Sequence, residues 1–178
     1  GYDMGETLRF VLNSDFFKES MYQKVKSPAE VVAGTMNLVG DLKGRPRPGL
    51  TNIAVEPRNM GQALLDPPSV EGWHTGAEWI DSGSLVRRIN FVADRVADLG
   101  KSGVQDIVQR IQAQGALSPE QLVDSCLDLI GPAEVGDQTR EELVVHAQQD
   151  GEVLWNSEID SSKSARRVGD MLALIAST

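Results

Sequence analysis

The sequence predicts an all-α fold, an irregular bundle of about seven or eight helices interrupted by one long loop carrying proline, glycine and tryptophan. Three observations support this. Apolar residues recur at helical spacing in nearly every stretch, Ser-Pro-x-Glu/Gln cap signals precede two of those stretches, and no run of alternating β-branched residues reads as a strand. Residues 1–100 read as a helical body that contains the loop. Residues 101–178 read as a smaller helical bundle packed on it as one unit.

Met4, Leu8, Val11 and Leu12 place an apolar stripe on a first helix ending near Asn13. Ser14-Asp15 starts a short second piece whose Phe16 and Phe17 are expected in the core. Ser27-Pro28-Ala29-Glu30 combines a cap residue, a proline at the first helical position and a glutamate at the third, which predicts a helix to about Val39. Gly40 to Ile53 contains two Arg-Pro pairs and reads as a long exposed loop, a lid over the tryptophan region. Pro57 to Leu65 then reads as a short helix.

Asp66-Pro67-Pro68 is expected to stop that helix, because proline biases the residue before it away from helical angles and donates no backbone hydrogen bond. Beyond it, Gly72 and Gly76 bracket Trp73 and His74, with Trp79 following closely. Both rings are expected to plug the helical body, with their indole N–H groups bonded to backbone carbonyls, since a long loop needs apolar anchoring area. The alternative is a ligand site: a stacking platform for a carbohydrate-like ligand formed by Trp73, His74, Glu78, Trp79 and Arg88. Glu71, Glu78 and Asp81 would then supply carboxylates for glycoside chemistry.

From Leu85, the positions Leu85, Ile89, Val92, Val96 and Leu99 follow a helical stripe stopped by Gly100. Arg88 on this helix is expected to hydrogen-bond the tryptophan loop. Ser102 caps a helix with Val104, Ile107, Val108 and Ile111, and Ser118-Pro119-Glu120-Gln121 caps another running to Ile130. A linker over Gly131 to Gly136 leads to a helix from Thr139. The final helix starts in the Ser161 to Ser164 region and carries Val168, Met171, Leu172 and Ile175; Trp155 covers one end of the bundle.

The formal charge is −9, and residues 101–178 hold 6 basic against 13 acidic side chains. Such a surface repels phosphate backbones and anionic lipid, which argues against nucleic-acid and membrane-surface binding. Lys43, Arg45 and Arg47 form the one local basic cluster, read as a solvated loop. The apparent helix-turn-helix at residues 102–130 carries Glu120, Asp124 and Asp128 on its second helix, the wrong charge for DNA. No apolar run reaches the roughly 20 residues that span a bilayer. A single cysteine, Cys126, reads as a small core residue, and two histidines, His74 and His146, leave no histidine-rich metal site within one chain. His146 is expected to be solvated. The local signatures of metal, nucleotide and acyl chemistry are absent, and no cofactor is expected.

Met60-Gly61-Gln62, Leu65-Asp66-Pro67-Pro68-Ser69-Val70, Gly72-Trp73, Trp79-Ile80 and Arg88-Ile89-Asn90-Phe91 together resemble the C-terminal part of a large bacterial family known as domain of unknown function 1800. Lys24 to Glu30 and Leu172 to Ser177 resemble flanking segments of the same family. The family pattern has a proline after the first tryptophan where this chain has His74, which counts against His74 as an inherited catalytic residue. Members are similar to longer proteins, often encoded beside sulfatase-like or alkaline-phosphatase-like exported proteins. The resemblance implies a fragment whose first partner is the upstream part of its own chain, whose second is such a neighbour, and whose setting is the cell envelope or outside it. The expected role is a noncatalytic interaction or scaffold domain.

Overall fold

In the computed structural model, which describes residues 3–21, 23–43, 50–131 and 135–178, the chain is all-α. Ten α-helices occur among the described residues: α1 (Met4–Asn13), α2 (Asp15–Glu19), α3 (Pro28–Leu38), α4 (Leu50–Ile53), α5 (Val55–Asn59), α6 (Ser82–Val96), α7 (Ser102–Gln112), α8 (Pro119–Ile130), α9 (Asp137–Gln148) and α10 (Glu158–Ile175). A single 3-10 turn spans Gly76–Trp79. Among the described residues, pairing between extended segments is confined to two isolated bridges, Ser69 with Gly72 and Leu117 with Val153.

Local sequence explains most of the boundaries. Ser27 and Glu30 cap α3 reciprocally, and Ser118 and Gln121 do the same for α8, so the Glu30 and Gln121 amides each have a side-chain acceptor. Asp3 caps α1 and Ser14 caps α2. The helix from Ser102 begins there as expected, but its cap residue is Lys101, which contributes no side-chain bond. Helices α9 and α10 start earlier than their apolar stripes, at Asp137 and Glu158, because polar first turns carry no periodic signal.

Two hydrophobic clusters organise the body. The larger joins Val39, Val96 and the inward faces of α7, α8, α9 and α10, with Cys126 fully buried at its centre. Burial pushes the Cys126 thiol up to about 12. Partly buried Trp155 packs against the same cluster. The smaller cluster is Val32, Met36, Met60 and Phe91, between α3, α5 and α6, and Val92 packs against both. The end of α3 meets the start of α7 at a close backbone contact, where Gly103 N–H donates to the Val39 carbonyl at 3.0 Å. A β-carbon on Gly103 would stand 2.0 Å from the Leu38 carbonyl oxygen, so only glycine fits.

Several expectations are corrected. Phe16 and Phe17 do not enter the core; they are 78% and 48% exposed, and neither α1 nor α2 buries a residue. The stripe on α6 is rotated: Leu85 is exposed, and Ser84, Arg88, Phe91 and Val96 form the buried face. The helix expected over Pro57 to Leu65 ends at Asn59, where the chain turns and Gln62 N–H donates to the Pro57 carbonyl, so the proline pair does not terminate it. Leu50–Ile53 is helical rather than loop. Lys43 pairs with Asp106 at 3.1 Å. Arg45, Arg47 and residues 44–49 of the expected lid lie outside the described residues, as does the centre of the Gly131 to Gly136 linker.

Candidate functional site

The tryptophan loop is held at three points. Gln62, itself buried, accepts from the Ala29 N–H at 2.9 Å, tying the start of the loop to an orphan amide in the first turn of α3. Trp73 is half-buried, and its Nε1 donates to the Ala63 carbonyl at 3.1 Å. At the far end the Ser84 hydroxyl donates to the Trp79 carbonyl at 3.0 Å, fixing the 3-10 turn to α6. Gly72 and Gly76 take φ of +102° and +58°, values that side chains with a β-carbon resist, which confirms why glycines bracket this turn.

The two rings are therefore not equivalent. Trp79, at 6% exposure, is the buried anchor, whereas Trp73, also expected to pack into the body, is only half-buried. The reason is the direction of the chain: Trp79 sits on the 3-10 turn that feeds into α6, while Trp73 lies further out and is turned back toward Ala63. His74 meets the Trp79 edge at 6.2 Å between ring centroids, and its Nδ1 lies 3.5 Å from Glu78 Oε2. Both of these polar side chains are largely exposed. His146 is exposed as well, on α9.

Between this loop and residues 23–30 runs a cleft of about 510 Å³ lined by Lys24, Gln62, Trp73, His74, Thr75 and Trp79. Glu30 lies on its wall and pairs with Lys24. That ion pair, with the Ser27 N–H bond, holds the Glu30 carboxyl at about 2. Four of the five residues of the expected ligand set thus line or adjoin one cleft, Glu78 through its contact with His74. Arg88 does not bond the tryptophan loop as expected; its Nη1 donates to the Lys26 carbonyl at 2.8 Å.

The carboxylates near the loop are mostly engaged. Asp81 Oδ1 accepts from Gly83 N and Ser84 N at 2.8 and 3.0 Å, capping α6, and these bonds, that of Ser84 foremost, lower its pKa. Glu78 Oε2 accepts from Thr75 N at 3.3 Å. Glu71 is exposed. Two of the three candidate acids therefore act as caps, which is poor preparation for proton transfer to a glycosidic oxygen.

Two arginines escaped a role in the sequence reading that fits the structure. Arg167 is buried and gathers the carbonyls of Ala147, Gly151 and Glu152 at 3.1, 2.8 and 2.9 Å, closing the α9–α10 connection. Its signal was available, since Ser164, Arg167, Met171 and Ile175 share one helical face. Arg88 is also buried, and burial lowers its pKa while the nearby charge of Asp81 raises it.

Among the described residues no helix is long and apolar enough to cross a membrane. Neither the curated proteins nor the solved structures include a match to this chain. The family described as protein of unknown function (DUF1800), by contrast, matches residues 1–177, and the chain belongs to that family.

Proposed function

We propose that this chain is a noncatalytic interaction or scaffold part of a longer protein, and that residues 1–100 and 101–178 act as one unit in it. The observation that carries this reading is the exposed apolar face of α1 and α2. Met4, Leu8, Val11, Leu12, Phe16 and Phe17 are all 42% exposed or more, although the helix spacing is that of a buried stripe. A stripe of that kind in water marks an interaction surface. The partner in this reading is the upstream part of its own chain; a sulfatase-like or phosphatase-like protein encoded nearby is the second partner to test.

The test is co-expression of residues 1–178 with the upstream segment as separate tagged pieces. Co-purification is expected, and Leu8→Ser with Phe17→Ser should abolish it while leaving the unfolding midpoint unchanged. A pair of pieces that never associates, or an association indifferent to these substitutions, refutes the reading.

A second reading has its own support. The cleft beside Trp73 and Trp79 brings an indole, a histidine and a lysine together at one surface, which favours a noncovalent site for a carbohydrate-like ligand.

A further inference from the structure

Gln62 holds an unused donor at the tryptophan cleft. The residue is 8% exposed, and its backbone N–H is bound to the Pro57 carbonyl at 2.7 Å. Its Oε1 accepts from the Ala29 N–H at 2.9 Å, and because a backbone N–H can only donate, that bond settles which end of the side chain is oxygen. The other end, Nε2, carries two N–H groups. Among the described residues Nε2 has no partner, yet it is not sealed from solvent as an orphaned interior atom would be. Gln62 lines the tryptophan cleft, so the little surface it keeps opens there. Buried polar groups are almost always hydrogen-bonded, and a fixed amide with idle donors at a cleft is set to receive an acceptor.

The groups around it define the chemistry of that acceptor. Glu30 lines the same cleft, and its carboxyl, held at about 2, is ionised across the physiological range. Its Oε1 pairs with Lys24 and its Oε2 accepts from the Ser27 N–H at 2.8 Å, which leaves a further lone pair on each oxygen for a ligand donor. Gln62 and Glu30 are both tied to the start of α3, one through Ala29 and the other through Ser27. A donor and an acceptor in one site match neighbouring hydroxyls, each of which gives one hydrogen bond and takes another. Lys24 and Glu30 cancel as charges, so that pair favours no ionic ligand.

The apolar side of the cleft is held as firmly. Trp73 lines it half-buried, with Nε1 bound to the carbonyl of Ala63, the residue next to Gln62, at 3.1 Å. A pinned indole loses little rotamer freedom when a ligand stacks on it. Its apolar surface suits a pyranose whose hydroxyls are all equatorial, since such a ring presents C–H bonds on its faces and hydroxyls at its edge.

Resting on the second reading of the cleft, we propose that its ligand is a neutral pyranose with equatorial hydroxyls, stacked on Trp73, with one hydroxyl accepting from Gln62 Nε2 and its neighbour donating to Glu30. Gln62 is then a specificity-determining residue of that site. The cleft already opens to solvent, so entry requires no rearrangement of the chain.

NMR titration of the nitrogen-labelled chain with methyl β-D-glucopyranoside, and separately with D-glucuronate, tests this. The glucoside is expected to shift the Gln62 side-chain NH2 resonances together with the Trp73 Nε1–H resonance. Gln62→Glu keeps an oxygen for Ala29 and removes the donor, and it should weaken the glucoside at least about tenfold. If that variant does not fold, the wild-type Gln62 resonances decide. A glucoside that shifts Trp73 and leaves the Gln62 NH2 fixed overturns this inference while the carbohydrate reading stands. Glucuronate binding more tightly than the glucoside overturns the neutral assignment. Binding of neither overturns this inference and the second reading together.

Discussion

Replacing Gly103 with alanine tests the backbone contact between α3 and α7. The new β-carbon would lie 2.0 Å from the Leu38 carbonyl oxygen and 2.6 Å from the Val39 carbonyl carbon, against the 3.0 Å that real β-carbons essentially never breach. Relief requires the two helix ends to part by about 1 Å, and these are backbone atoms that no rotamer change can move. Overpacking of this kind costs about 1–3 kcal/mol, and loss of the Gly103 to Val39 hydrogen bond adds about 0.5–1.5 kcal/mol. The helix preference of alanine over glycine returns at most about 1 kcal/mol. The expected net loss is about 2 kcal/mol, or a fall in Tm of roughly 4–8 °C for a domain of this size. Gly34→Ala is the matched control, since its β-carbon meets nothing within 4 Å in α3. It should gain about 0.5–1 kcal/mol. Urea and thermal unfolding of the two variants beside wild type decide the matter. If Gly103→Ala unfolds at or above the wild-type midpoint, the close approach carries no energetic weight.

Trp79→Ala should lower stability by about 3–5 kcal/mol and Trp73→Ala by clearly less, because only the first ring is fully buried; equal losses in urea unfolding would contradict this asymmetry. Cys126, with its thiol pushed up to about 12 by burial, should resist alkylation in the native state and react at a rate that tracks unfolding; rapid modification under native conditions argues against the packing described. The Glu30 carboxyl is depressed in the folded chain from 4.5 to about 2, so its contribution is present above pH 4.5 and disappears as pH falls toward 2. The pair with Lys24 is exposed and screened, so Glu30→Gln should remove only a small part of the acid sensitivity in that window, measured as unfolding midpoint against pH.

Much of the fold could be read from spacing and capping. The boxes at Ser27 and Ser118 located two helix starts to the residue, because the physics of those signals is local. What eluded the sequence is nonlocal. Periodicity identifies the apolar face of α1 but carries no information on what covers it, and apolarity alone pointed Phe16 and Phe17 into a core they do not reach. On α6 the apolar count favoured a stripe through Leu85, yet the structure buries Ser84 and Arg88 instead, since each satisfies a backbone carbonyl that apolar residues could not. Composition brought Trp73, His74 and Trp79 to notice together. It had no means of showing which indole faces inward, because a turn between two glycines leaves that choice to distant contacts.

The unequal sizes of the two hydrophobic clusters bear on how the molecule breathes. Among the described residues, sixteen buried side chains form one cluster and four the other, with Val92 packed against both. Free energy of opening follows buried apolar contact, so amides of α3 and α5 should exchange with solvent through a smaller excursion than those of α7, α8 and α10. The tryptophan cleft is built on the smaller cluster's side, where Gln62 grips the start of α3. Fluctuations that loosen this half need not melt the other. A molecule captured there would tighten the less cooperative half of the chain, and protection of the α3 amides would report its arrival.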